Sequence, residues 1–244
     1  MLSAEIDLAG NLARVTDAIA EVAVHAGRRP EGVTLVGISK TQPAELVVGA
    51  VRAGLRHVGE NRVQEAASKF PRVKELLGSD SALTTQHSAL AFHMVGHLQS
   101  NKAGAAIELF DRIDSVDSVK VAQALSSRLQ EKTLPILIEV YVGEDTARPG
   151  VRPDQLIDVV GGILELPGLR VEGLMTVAPL GGDARKAFGQ VRELRVSLAQ
   201  AFREVHFDVL SMGMSEDFRD AIEEGSTEVR LGTALFGPRQ QRTT

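Results

Sequence analysis

Lys40 closes an apolar run, Val33-Thr34-Leu35-Val36-Gly37-Ile38-Ser39-Lys40, and Thr41-Gln42-Pro43 follows at once. The run has the texture of a short buried strand, with a helix opening just after it at Pro43-Ala44-Glu45. An amine at a strand tip, partly stripped of water, can shed its proton and attack a carbonyl carbon. The plain alternative is a solvated lysine, and the lysine alone does not separate the two. A second group of residues lies near the other end of the chain. One apolar run there leads into Ser211-Met212-Gly213-Met214-Ser215-Glu216-Asp217, the next into Arg230-Leu231-Gly232-Thr233. Gly213 and Gly232 permit close backbone approach, Ser211 and Thr233 offer hydroxyls, and exposed N–H groups complete a nest for an anion. The competing reading makes Ser215 a helix N-cap, with Glu216 and Asp217 complementing the helix dipole.

These residues need a scaffold that brings them together, and the chain spells one out. Strand-like runs over 33–40, 57–60, 92–96, 112–116, 135–142, 171–178, 206–212 and 228–231 alternate with helical stretches. The helices read near 43–54, 61–77, 99–109, 117–130, 153–165, 182–204 and 215–225, after a first helix over about 4–27. About eight strands, each followed by a helix, within 244 residues predict a single (β/α)8 TIM-type barrel with an extra N-terminal helix, spanning 1–244. A doubly wound open sheet is the alternative, but no glycine fingerprint follows the first strand. The stretch from Gly78 to Ala91 reads as a surface excursion.

In such a barrel the reactive face is the C-terminal end of the strands. Lys40, Glu60, Asn61, His97, Ser115, Asp117, Tyr141, Met175 and Thr176 all fall there. His57, His93 and His206 fall at strand beginnings and read as structural. That leaves His97 alone among histidines, so neither a metal cluster nor a Ser/His/Asp triad is expected.

Composition removes whole classes of function. A net charge of −5 with both signs dispersed leaves no basic footprint for nucleic acid or a membrane surface. Zero cysteines exclude disulfides, thiolate metal sites and cysteine nucleophiles. With no signal peptide and no window of membrane-spanning length, the chain reads as soluble and cytoplasmic. No long exposed apolar face is evident, so a monomer is expected.

A Schiff-base lysine opposite a phosphate cradle describes a pyridoxal 5'-phosphate pocket. Arg230 refines it, because it shares a strand face with Gly232 and can point into the barrel mouth. Against a pyridine nitrogen, its permanent charge would keep that nitrogen unprotonated and weaken the ring as an electron sink. Its ordinary alternative is a salt bridge to Glu139 or Asp114.

The blocks 36–43, Gly59-Glu60-Asn61-Arg62-Val63-Gln64-Glu65, 92–102, Gly173-Leu174-Met175, 210–217 and 230–237 together resemble the pyridoxal phosphate homeostasis family, the proline synthetase co-transcribed homologues. The resemblance covers nearly the whole chain. It implies a barrel similar to the N-terminal domain of alanine racemase, with cofactor storage or delivery and no established turnover. It also implies roles for single residues: Lys40 as the Schiff-base lysine, Ser211, Gly232 and Thr233 as phosphate contacts, Arg230 near the pyridine nitrogen, and Asn61 and Met212 around the ring. The implied partners are the cofactor and, transiently, apo-enzymes that depend on it.

Some positions depart from the family's pattern. Tyr141 stands where asparagine is common, Arg148 where lysine is, Phe92 where tryptophan is, and Arg62 where an aromatic is frequent. Tyr141 is expected to alter the pocket wall, and Arg148 is a poor nucleophile at neutral pH. Two other functions compete. A racemase-like enzyme needs a base on each face of its substrate, with Tyr141 or His97 as the available groups. A Schiff-base aldolase without cofactor leaves Arg230 without a task.

Overall fold

The computed structural model describes residues 6–78, 90–145 and 147–237. Eight strands alternate with helices: β1 (Thr34–Ile38), β2 (His57–Glu60), β3 (Ala91–Met94), β4 (Arg112–Val116), β5 (Leu134–Glu139), β6 (Leu169–Met175), β7 (Val209–Ser211) and β8 (Glu228–Leu231). Each pairs in parallel with the next, and β8 pairs with β1, so the sheet closes into a barrel. Around it lie α1 (Leu8–His25), α2 (Ala44–Ala53), α3 (Val63–Gly78), α4 (Ala103–Leu109), α5 (Val119–Ser126), α6 (Leu156–Leu164), α7 (Ala184–Ala201), α8 (Phe218–Glu223) and α9 (Thr233–Phe236). The expected architecture and strand order hold. The expected excursion after Gly78 lies mostly outside the described residues. No helix among those described is long and apolar enough to cross a membrane.

The barrel closes because every strand buries apolar side chains against its neighbours and the surrounding helices. Val36, Val58, Ile113, Ile136, Ile138, Leu174 and Leu210 are all fully buried. The extra helix has its own task. Asp7 caps α1 by accepting from the Gly10 N–H at 2.8 Å, and Val15, Ile19, Val22 and Ala23 pack with Ile222, Val229 and Leu231. The helix thereby covers the seam where β8 meets β1.

The floor of the barrel is ionic. Arg112 donates to Asp114 through Nε at 2.6 Å and Nη2 at 3.1 Å, and also to Glu228. His93 Nδ1 lies 3.3 Å from Asp114, and His93 Nε2 lies 3.0 Å from His57 Nδ1. Burial alone would raise the Asp114 pKa, but Arg112 and His93 outweigh it and hold the carboxyl well below the usual carboxylate range. His57 and His93 are structural, as expected. Three residues that no histidine pattern in the sequence links, His93, Asp114 and Glu228, bring ligand atoms within 4.8 Å of one another. Sequence distance hid this, because the three residues come from β3, β4 and β8. The Arg112 guanidinium already sits among these groups as a fixed cation.

Candidate cofactor site

β1 ends at Ile38, so Lys40 stands two residues past the strand tip and not on it. The chain turns sharply there. Ser39 N–H still reaches the Gly59 carbonyl at 2.9 Å, and Gln42 N–H closes back onto the Ser39 carbonyl at 3.0 Å. Thr41 takes φ 66°, a left-handed conformation rare for a β-branched residue. The turn lifts the half-buried Lys40 into a cavity of about 650 Å³ at the C-terminal mouth.

That cavity gathers the two ends of the chain. Lys40 and Gln42 line it after β1, Arg230, Gly232 and Thr233 come from β8 and its sequel, and the loops after β6 and β7 supply most of the rest. Arg230 is 4 % exposed. Its Nη1 donates to Ser211 Oγ and its Nη2 to the Thr176 carbonyl, each at 2.7 Å. Burial pushes its pKa down, while Glu228, Asp114, Glu139 and Asp217 pull the other way. The alternative of an ordinary salt bridge to Glu139 or Asp114 is not what forms, as two neutral oxygens hold the guanidinium. A buried cation with neutral partners at the edge of a cavity suits a ring nitrogen that must stay unprotonated. At the other edge, Gly232 precedes the short helix α9, whose first N–H groups have no intrahelical acceptor. A free amine, a fixed guanidinium and a glycine–threonine helix start on one cavity fit pyridoxal phosphate.

The remaining expected residues sit elsewhere. Ser211 and Met212 are fully buried and do not line the cavity, and the Ser211 hydroxyl serves Arg230. Asn61 lines a neighbouring hollow of about 490 Å³ with His97. Its N–H donates to Glu60 Oε1 at 3.0 Å. His97 Nδ1 pairs with Asp117 Oδ2 at 3.0 Å. Tyr141 is 7 % exposed and lies under the Arg152 guanidinium, 4.9 Å from its ring centre. It anchors the loop after β5 and does not line the cavity, contrary to the expectation that it alters the wall. The Ser215 capping alternative also fails: α8 begins at Phe218 with Asp217 at its N-cap, and Asp217 Oδ1 accepts the Met214 N–H at 2.6 Å. Arg148 does reach the cavity.

Two groups near the site escaped the sequence reading as participants. Lys69 on α3 is 7 % exposed and reaches the Lys40 turn. Its signal was its spacing, four residues after Glu65 and next to the buried stripe of Val63, Ala66, Phe70 and Val73. Glu139, the last residue of β5, is 8 % exposed, and its Oε2 has no hydrogen-bond partner among the described residues. Burial, then the nearby Asp117 charge, pushes its pKa up to about 7 against the opposing charges of Arg230 and His97. A hollow of similar size, about 610 Å³, opens at the opposite end of the barrel beside Arg170, Glu172, Glu204, His206 and Asp208. It has no lysine and no glycine loop, so chemistry and not size selects the site.

The chain is similar to known proteins. The family model for the N-terminal domain of alanine racemase matches residues 11–240. The pyridoxal phosphate homeostasis protein of Escherichia coli is 36 % identical over 236 residues, covering 96 % of this chain and 97 % of that protein. That of Pseudomonas aeruginosa is 39 % identical over 237 residues, covering 95 % and 96 %. Among solved structures, PipY of Synechococcus elongatus with pyridoxal phosphate bound has a TM-score of 0.76 at 37 % identity, covering 90 % of this chain and all of that one. An alanine racemase from Clostridium difficile aligns with a TM-score of 0.66 at 13 % identity over 93 % of this chain and 57 % of its own, which speaks to the fold alone. The chain belongs to the pyridoxal phosphate homeostasis protein family, on the barrel fold of the alanine racemase N-terminal domain.

Proposed function

We propose that this protein holds pyridoxal 5'-phosphate on Lys40 and serves its intracellular homeostasis, releasing it to enzymes that need it, without turnover of its own. The observation that carries this reading is the convergence of Lys40, Arg230, Gly232 and Thr233 on one cavity. The free amine of Lys40 adds to the aldehyde carbon, a C=N bond forms, and the aldehyde oxygen leaves as water with the two amine protons. Arg230 meets the pyridine nitrogen, Gly232 and Thr233 meet the phosphate, and Ser211 acts through Arg230. Asn61 and Met212 belong to the surroundings of the ring. An open rim supports release, since Leu180 is 84 % and Met214 40 % exposed, and both border the cavity. A monomer in the cytoplasm suits that task.

A racemase-like reading has one observation in its favour, the His97–Asp117 pair at the mouth. It is the weaker reading. His97 lines the hollows beside the Lys40 cavity and not the cavity itself, and Tyr141 is buried beneath Arg152. The test is visible absorption with pyridoxal phosphate, before and after borohydride, with the labelled peptide mapped. The expected result is a single label on Lys40, lost in Lys40→Ala, and no racemisation of alanine. A label on another lysine refutes the site, and alanine turnover on the order of 1–1000 s⁻¹ refutes the carrier reading.

A further inference from the structure

The turn that presents Lys40 is held from both sides by a buried ion cluster. We infer that Lys69, with Glu60 and Glu65, forms a clamp whose task is to fix the backbone on either side of Lys40, making Lys69 and Glu65 positioning residues for the cofactor amine. The inference rests on the cofactor reading given above.

The geometry is specific. Lys69 Nζ donates to the Ser39 carbonyl at 2.6 Å, to Glu60 Oε2 at 2.6 Å and to Glu65 Oε1 at 2.8 Å. An ammonium has three protons, and all three are used. Lys69 is thereby held by three acceptors and does not line the cavity, although it lies beside Lys40. Glu65 Oε1 also accepts the Thr41 N–H at 2.6 Å, and Glu60 Oε2 accepts the Ser39 hydroxyl at 3.0 Å. The residue before Lys40 and the residue after it thus end on one cluster, with Lys40 suspended between them.

The turn needs such a hold. Thr41 is β-branched at φ 66°, a conformation that persists only where the surroundings over-determine it. The bond from Thr41 N–H to a carboxylate is charge-assisted and short, the stronger class of hydrogen bond. Lys69 holds that carboxylate in place. Lys40 itself has no partner in the described structure that would orient it, so its direction follows from its root. A misplacement of about 1 Å at a reacting group costs on the order of a hundredfold in rate.

The experiment compares wild type, Glu65→Ala, Glu65→Gln and Lys69→Met by three readouts. The first is the rate at which pyridoxal phosphate becomes borohydride-fixable on Lys40. The second is affinity for pyridoxine 5'-phosphate, an alcohol that cannot form the bond and needs only Arg230 and the phosphate contacts. The third is hydrogen exchange at the Thr41 amide in cofactor-free protein. Glu65→Ala is expected to slow labelling about tenfold and to speed Thr41 exchange by a similar factor. Lys69→Met should slow labelling by about a hundredfold. Pyridoxine phosphate affinity should stay within roughly twofold of wild type, because the cradle is untouched. Glu65→Gln should restore most of the rate, since its amide oxygen still accepts from Thr41. Where Lys69→Met fails to fold, Glu65→Ala decides, as its carboxylate is part-exposed. Wild-type labelling and exchange in Glu65→Ala overturn the clamp. Equal losses of labelling and of pyridoxine phosphate binding also overturn it, because a general structural role explains both. A folded wild-type protein that takes no label from pyridoxal phosphate overturns the cofactor reading, and the clamp with it.

Discussion

Glu139→Gln is expected to stabilise the cofactor-free protein, increasingly as pH rises from 4.5 to 7. The side chain is 8 % exposed, and Oε2 has no partner among the described residues. Burial, then Asp117, raises its pKa from 4.5 to about 7. Below pH 4.5 the carboxyl is protonated in both folded and unfolded chains, so it costs nothing. Between 4.5 and 7 the unfolded chain gives up its proton while the folded chain keeps it, so stability falls as pH rises. Above 7 the loss is complete, and a shift of that size corresponds to about 3 kcal/mol. Glutamine has nearly the same shape and cannot ionise, so it escapes the penalty. Urea denaturation of the two proteins at pH 5, 6, 7 and 8 reads this directly. The stability difference should open from a small value at pH 5 to about 3 kcal/mol at pH 8, or roughly 6–12 °C in Tm for a domain of this size. Parallel pH profiles would refute the reasoning, and so would a variant less stable than wild type at pH 8.

Three further perturbations test other parts of the structure. Arg112→Met removes the cation between Asp114 and Glu228 and leaves both carboxylates buried; it should cost about 3–5 kcal/mol in denaturant melts at pH 7. Part of that loss should return as pH falls and the carboxylates protonate, and a pH-independent cost would contradict the ionic account. Gly213→Ala places a methyl 2.6 Å from Ala221 Cβ and 2.9 Å from Phe218 Cα at φ 98°, and should cost about 2–4 kcal/mol while weakening cofactor binding through the adjoining loop. An unchanged Tm with unchanged affinity would show that the loop gives way freely. Burial, then the neighbouring His93, lowers the His57 pKa below 6.5, so the unfolded chain takes up a proton first and stability declines as pH drops below 6.5, by up to about 1.4 kcal/mol per unit. His57→Gln should flatten that slope below pH 6.5, and a slope equal to wild type would assign it to other groups.

Much of this is legible in the sequence, and what is not has a common physical cause. The barrel could be read because its strands and helices differ in period, and because eight repeats of that contrast leave few topologies open. That Lys40, Arg230, Gly232 and Thr233 line one cavity could be expected because they stand near or beyond the C-terminal ends of strands that a barrel brings together. Ser211 was read as a phosphate contact, and its hydroxyl also accepts from Arg230, a relation across the β7–β8 pair that sequence distance hides. Lys69 was not seen, and Glu139 was seen only as a possible salt-bridge partner of Arg230, for a related reason. A lysine on a helix and a glutamate on a strand are assigned to solvent by default, and that default fails where a barrel turns both faces of a short strand inward. Strands of three to seven residues carry too few alternations to say which face a charged side chain takes. The charged residues that the sequence leaves to solvent are therefore the ones that hold the reactive turn and load the barrel mouth with a proton, and their substitutions test the structure most sharply.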